Sequence, residues 1–330
     1  FNLTRNRLAK TGPTETTTEP AEYTYSTENK KIALWYLPGI GTPRCPDLDT
    51  YCKKVDLQKY DTFLICSAGS FLGNDLKIAK KLKSMKKPFL FVRTKIDQDI
   101  ENAFYDNDEN EESTLKRIGE DIWNNLSELE ASKEKVFLIS NRQKDKYDFS
   151  GLINAMLNDL PLAQKEALIL SLPSDMKDII KRKVEVLRGR IWKVASASAA
   201  VAAIPAPGLS VVFDPALLMK EINFYKSQLG IPDENSKEFQ GMNSENKAKI
   251  LKYCVTTVAQ LGHLLAFYAA SSAAEEFARF IPFVGSFIAG GISFGSTYWF
   301  LYQCLKEFET VSYNLLDQTT GKFLNELDNN

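Results

Sequence analysis

The sequence predicts an α/β domain over residues 1–160, followed by an all-helical domain over residues 161–330. Three observations lead there. Apolar strand-like runs alternate with helical patterns in the first half, the signature of a parallel sheet with crossover helices. After Leu160-Pro161 strand signals almost vanish, and long uncharged stretches rich in Ala, Ser and Gly take over. A chain of 330 residues with 44% hydrophobic and 25% charged residues has ordinary globular composition and is too long for one small core.

Taken in order, Lys31–Leu37 is an apolar run closed by Pro38-Gly39 and predicts the first strand. Tyr60–Ser67, Pro88–Arg93 and Lys135–Ser140 predict three more buried strands. Between them, helices are expected near Asp75–Met85, Ser113–Leu129 and Phe149–Leu157, with an acidic, solvated loop at Asp106–Ser113. In the second half, Ala163–Leu172 and the basic run Lys177–Lys193 predict helices. The uncharged stretches Val194–Phe213, Tyr253–Ala274 and Phe280–Leu305 follow. No internal repeat is evident.

Composition excludes several kinds of chemistry. The net charge of −1 gives no basic field to recruit nucleic acid. The five cysteines form no C-x-x-C pair, and their odd number suits a reducing compartment better than a disulfide framework. The single histidine, His263, rules out multi-histidine metal sites and reads as a core or interface residue. Asn2-Leu3-Thr4 and Asn125-Leu126-Ser127 match the glycosylation pattern, but no signal peptide accompanies them.

In an open α/β sheet, ligands bind beyond the carboxyl ends of the strands, and four features fall there or just upstream. The strand Phe91-Val92-Arg93 ends in Thr94-Lys95-Ile96-Asp97. A carboxylate at Asp97 suits the two adjacent N–H donors on a guanine edge, a pair adenine lacks, while the stem of Lys95 can lie over the purine ring. Ser140-Asn141 ends the next strand, where a loop N–H can meet the guanine carbonyl oxygen; alone, it reads more readily as a strand-to-helix cap. Leu37-Pro38-Gly39-Ile40-Gly41 follows the first strand, and a glycine there allows a backbone N–H to approach a γ-phosphate. Seen alone, it reads equally as a tight turn. Glu15-Thr16-Thr17-Thr18 offers hydroxyls for Mg²⁺, or is a polar turn. Each signal is modest alone; their order and spacing make them strong together.

With these residues in place, the chain resembles the immunity-related, interferon-inducible GTPases. The matching residues are Ala9-Lys10-Thr11-Gly12, Glu15-Thr16-Thr17, Leu37-Pro38-Gly39-Ile40-Gly41-Thr42-Pro43 and Phe91–Asp97. They continue through Phe137–Asn141, Tyr147-Asp148-Phe149, Asp159-Leu160-Pro161 and Ser171-Leu172-Pro173. The resemblance is dense from about residue 8 to 192 and thinner beyond. It implies a Ras-like GTPase domain, incomplete at its N-terminus, plus a helical domain. It also implies binding of GTP and GDP with Mg²⁺, slow hydrolysis, and nucleotide-dependent assembly with like copies or related GTPases. The implied place is the cytoplasm, at intracellular membranes, in cell-autonomous immunity. On that pattern Thr17 is the switch threonine at the metal and Gly39 the γ-phosphate contact. Thr94, Lys95 and Asp97 read guanine, and Ser140-Asn141 form the last base-side loop. No catalytic base stands out.

Two departures from that pattern are expected to matter. No G-x-x-x-x-G-[KM]-[ST] phosphate loop occurs in the chain; in the family it precedes the position of Phe1, so a truncated chain is the expectation. The strand leading into that loop is expected between Lys31–Leu37 and Tyr60–Ser67, and a chain lacking it is expected to be aggregation-prone. Second, Tyr36 stands where the family has an aspartate that holds Mg²⁺, and a neutral phenol cannot replace a carboxylate. The alternative reading is therefore a degenerate pseudo-GTPase that regulates or scaffolds active relatives. Phe280–Leu305 is long enough for a bilayer core of about 30 Å, but Pro282 and Gly290-Gly291 favour two shorter helices, and packed helices of a soluble domain account for all three uncharged stretches. The family resemblance instead implies membrane contact through this domain without a committed span.

Overall fold

The computed structural model describes residues 18–23, 32–42, 45–69, 73–129, 135–158, 160–202, 215–253 and 291–328. Two compact units divide the chain, Phe1–Ser171 and Leu172–Asn330. The helix after Leu160-Pro161 falls in the first unit, so the observed division lies one helix beyond the expected one at 160.

In the first unit the strands are β1 (Ala21–Tyr23), β2 (Leu34–Tyr36), β3 (Phe63–Ser67), β4 (Phe89–Arg93) and β5 (Val136–Leu138). The helices are α1 (Leu48–Lys54), α2 (Gly73–Ser84), α3 (Ile96–Asn107), α4 (Glu111–Leu126), α5 (Phe149–Asn158) and α6 (Leu162–Ser171). β3, β4 and β5 form a parallel sheet in that order, with Phe63 opposite Phe89 and Phe91 opposite Val136. β4 is central, which is why Phe89, Phe91 and Val92 are all buried on an almost unbroken apolar strand. Ile65, Ile78, Leu82, Ile122 and Leu126 from the flanking elements complete this core.

The expected first strand behaves differently. β2 pairs antiparallel with β1, Ala21 opposite Tyr36, in a separate two-stranded sheet. The expectation of a single parallel sheet is thereby corrected. Its cause is β1, a three-residue strand too short and too polar to show in the sequence pattern. Among the described residues, β3 has one hydrogen-bonded neighbour, β4. The acidic loop also shrinks. α3 runs through Asn107, Asp108 stops it in left-handed backbone, and Asn110 starts α4 by accepting the Ser113 N–H at 2.9 Å. Only residues 108–110 remain as loop, because Asn110 caps and Glu111 and Glu112 suit the positive end of a helix.

The second unit holds α7 (Lys177–Ala202), α8 (Pro215–Gln228), α9 (Lys237–Gln240), α10 (Ser244–Lys252) and α11 (Gly291–Asp328). α7 and α11 pack antiparallel. Lys177 meets Asp317 at 2.8 Å, Arg188 meets Glu309 at 3.6 Å, and Trp192 meets Tyr298 edge to face with ring centroids 6.3 Å apart. Tyr253, Phe300 and Phe308 are fully buried and form the aromatic centre of this unit. Tyr253–Ala274 beyond Tyr253, and Phe280–Gly290, lie outside the described residues, while Gly291–Leu305 is the start of α11. No helix among the described residues is long and apolar enough to cross a membrane.

Candidate functional site

The carboxyl ends of β3, β4 and β5 are laced together by short contacts. Thr94, the first residue beyond β4, donates its backbone N–H at 2.8 Å and its hydroxyl at 3.2 Å to the Ser67 carbonyl at the end of β3. Lys95 then adopts left-handed backbone, φ 60° and ψ 32°, and serves as the cap residue of α3. That geometry is uncommon for a side-chain-bearing residue, and such strain clusters at functional sites. It turns the chain so that Asp97 stands in the first helical turn, half-exposed, with the exposed Lys95 beside it.

The last loop is joined to this one through the backbone. Ile139 N–H donates to the Arg93 carbonyl at 2.8 Å, and Ile96 N–H returns to the Ile139 carbonyl at 3.2 Å. The Thr94–Asp97 and Ser140-Asn141 segments are thus brought side by side. Ser140 is completely buried, and its Oγ accepts from the N–H groups of Arg142 and Gln143, both at 3.1 Å. Its hydroxyl therefore folds the loop instead of facing a ligand, while Asn141 is exposed. The loop closes where Asp148 Oδ2 accepts the Leu138 N–H at 3.0 Å and α5 begins. Between these points, Tyr147 comes within electrostatic range of Asp97. Burial chiefly raises the Tyr147 phenol above its ordinary pKa, opposed by Lys146 and reinforced by the Glu111 and Asp97 carboxylates.

Gly39 belongs to a different loop, the exposed turn after β2, where Thr42 Oγ1 donates to its carbonyl at 3.3 Å. Left-handed backbone falls two residues later, at Gly41, φ 85°, and a Cβ there would stand 2.4 Å from Asn74 Nδ2 on α2. Gly41 is thus the glycine this turn requires, on both counts. Tyr36 ends β2 with 53% of its surface exposed. Thr17 lies outside the described residues. Among the described residues no group of three or more His, Cys, Asp or Glu side chains is placed to hold a metal.

Sequence reasoning missed the support beneath these loops. Arg93 closes β4 with its side chain buried, and its Nε and Nη2 both reach Asp99 Oδ2, at 3.0 and 2.6 Å. A lone arginine ending an apolar run six residues ahead of an aspartate was the available signal.

The chain matches the model of the interferon-inducible GTPase (IIGP) family over residues 4–281. It belongs to that family. Among its relatives in the interferon-inducible GTPase family, it is 31% identical over 309 residues to interferon-inducible GTPase 5 of Rattus norvegicus, an alignment covering 91% of this chain and 66% of the relative. It is 35% identical over 230 residues to interferon-inducible GTPase 1 of Mus musculus, covering 69% of this chain and 55% of the relative. T-cell-specific guanine nucleotide triphosphate-binding protein 2 of Mus musculus is 30% identical over 334 residues, with 96% and 78% covered. The chain spans about two thirds of the length of the first of these interferon-inducible GTPase relatives.

Proposed function

We propose that the chain is a guanine-nucleotide-binding protein whose base-recognition loops are Thr94–Asp97 and Ser140-Asn141. The observation that carries this reading is the pair of backbone hydrogen bonds joining Ile139 to Arg93 and Ile96, which holds the two loops together ahead of any ligand. Such preorganisation lowers the ordering cost of binding. Asp97 would accept from the guanine edge, Lys95 would cover the ring, and the Asn141 region would present backbone to the guanine carbonyl, with Ser140 as a positioning residue. Gly39 is assigned to the γ-phosphate and Thr17 to Mg²⁺ on the family's pattern alone. The magnesium ion, when bound, would neutralise phosphate charge.

The test is nucleotide choice. Asp97→Asn should shift preference from GTP towards xanthosine triphosphate, because an amide offers a donor where the carboxylate only accepts. An unchanged preference, measured by competition of each nucleotide against a fluorescent GDP analogue, would remove Asp97 from the site.

Hydrolysis of GTP, coupled to assembly with like copies or related GTPases at intracellular membranes in cell-autonomous immunity, is the broader reading, with a cytoplasmic location. Its support is family membership. The exposed Tyr36 favours a second reading, a pseudo-GTPase that regulates active relatives. In a chain supplied with a phosphate loop, Tyr36→Asp should raise GTP turnover by orders of magnitude if the phenol holds catalysis off. Brisk turnover with Tyr36 in place would reject the pseudo-GTPase reading.

A further inference from the structure

The end of α2 delivers a series of lysines to one place. Its last turns carry Lys81 and Lys83, and the chain then reverses through Lys86, in left-handed backbone at φ 55°. The Lys87 N–H closes that reversal on the Leu82 carbonyl at 3.0 Å. Lys83, Lys86 and Lys87 thereby converge with Lys135, just ahead of β5, around a cavity of about 340 Å³ floored by Phe89 and Leu129. None of the described residues lining it is acidic.

Ordinary structural work accounts for two of these lysines. Lys83 Nζ donates to the Leu129 carbonyl at 2.8 Å. Lys87 Nζ donates to the Gln58 and Tyr60 carbonyls at 2.9 and 2.7 Å, tying the segment before β3 to the start of β4. Among the described residues, no hydrogen bond or ion pair gives Lys86 or Lys135 such a task. Both are exposed, and the Lys135 ammonium lies 5.9 Å from the centroid of the Phe89 ring. Lys86 moreover holds a position where glycine would relieve backbone strain. The lysine charges gathered along this lining repel each other, and an anion seated beside the exposed pair, Lys86 and Lys135, reverses the sign of that energy.

We propose that this cavity binds a compact polyphosphate, the chemistry shared by soluble inositol phosphates and phosphoinositide headgroups. Its volume lies in the range of small-molecule sites, roughly 300–1,000 Å³. The apolar floor suits a ring, and lysines spaced around it suit several phosphates as point charges. Phe89 is the first residue of β4, whereas the candidate guanine loop Thr94–Asp97 follows its last, so the two sites occupy opposite ends of one strand.

The experiment titrates the full chain with inositol trisphosphate in saturating GDP, and in parallel floats it with phosphatidylcholine vesicles with and without phosphatidylinositol bisphosphate. Saturable binding of the soluble probe is expected, weakened by about tenfold or more, roughly one unit of log affinity, in Lys86→Glu/Lys135→Glu. Flotation that requires the bisphosphate lipid and is lost in the same variant assigns the source to a membrane; soluble binding without flotation assigns it to a free inositol phosphate. Lys86→Gly is the decisive companion, since it should raise thermal stability while lowering affinity. Equal loss in Lys116→Glu/Lys181→Glu, which reverses the same charge at exposed positions elsewhere, would reduce the effect to general attraction and overturn the proposal. So would binding of the soluble probe that appears only when GDP is left out, or no binding of either probe.

Discussion

Beneath the candidate guanine loops, the Arg93–Asp99 pair combines high cost with high consequence. The guanidinium is 8% exposed and the carboxylate 23%, so both have given up much of their hydration. Arg93 Nη1 has no hydrogen-bond partner among the described residues. A pair of this kind is weak as a source of net stability and costly to break from one side. Asp99→Ala, which strands the arginine, should destabilise by about 3–5 kcal/mol. Arg93→Met/Asp99→Ala should recover most of that loss. Denaturant unfolding of the single and double variants measures the difference, and additive losses would show that the pair is not coupled. The residue scale also separates Ser140 from Asn141. Adjacent in sequence and read together as ligand contacts, they divide into a buried hydroxyl that shapes the loop and an exposed position that faces outward.

Among the elements, α8 ends in an unusual concentration of side-chain donors. Ser174 Oγ and Lys183 Nζ both reach the Gln228 carbonyl, at 2.6 and 2.9 Å, and Ser312 Oγ reaches the Leu229 carbonyl at 2.7 Å. The carbonyls a helix leaves unpaired at its end are thus met from α7, from α11 and from the turn before α7. Lys183 does this while 3% exposed, and burial, partly opposed by the Asp175 carboxylate, pushes its pKa down to about 7. The unfolded chain therefore holds a proton that the folded chain lacks between about pH 7 and 10, and folding gains stability as pH rises through that window. Relative to Lys183→Met, in which Ser174 still satisfies Gln228, the native protein should gain thermal stability from pH 7 to 9.5. Parallel curves would remove Lys183 from this account. Elements of this kind also show what a sequence discloses. β3, β4, β5, α2, α4 and α5 lay near their expected positions, because buried parallel strands are continuous apolar runs. β1 and α1 gave no warning: three residues have no periodicity, and Leu48–Lys54 buries only Tyr51. α3 went unread because its first turn coincides with the Thr-Lys-x-Asp motif. The strapping of Thr94 to Ser67 and of Ile96 to Ile139 was not legible at all, since backbone bonds between distant segments leave no mark on residue type.

For the whole molecule, α7 and α11 share an aromatic band that bears on the membrane reading. Trp192, 45% exposed, meets Tyr298, and Tyr302 stacks on both Tyr298 and Trp299, with Arg188 over its ring. In the sequence the uncharged run Val194–Phe213 begins just after Trp192. Tryptophan and tyrosine favour the boundary between water and lipid. Alkaline carbonate should therefore release the protein from membranes, and Trp192→Ser should weaken vesicle flotation; retention reversed only by detergent would point to a span. The same antiparallel pair sets a timetable. About 90 residues of chain separate Ala202 from Gly291. At roughly 5–20 residues per second, a ribosome needs on the order of 5–20 s to deliver the second helix after the first has emerged. For that interval the apolar face of α7, with Ile180, Val184, Leu187 and Ile191, has no α11 to cover it. The nascent protein is thus most exposed to chaperones, and to misassembly with its neighbours on a polysome, in the seconds before α11 leaves the exit tunnel.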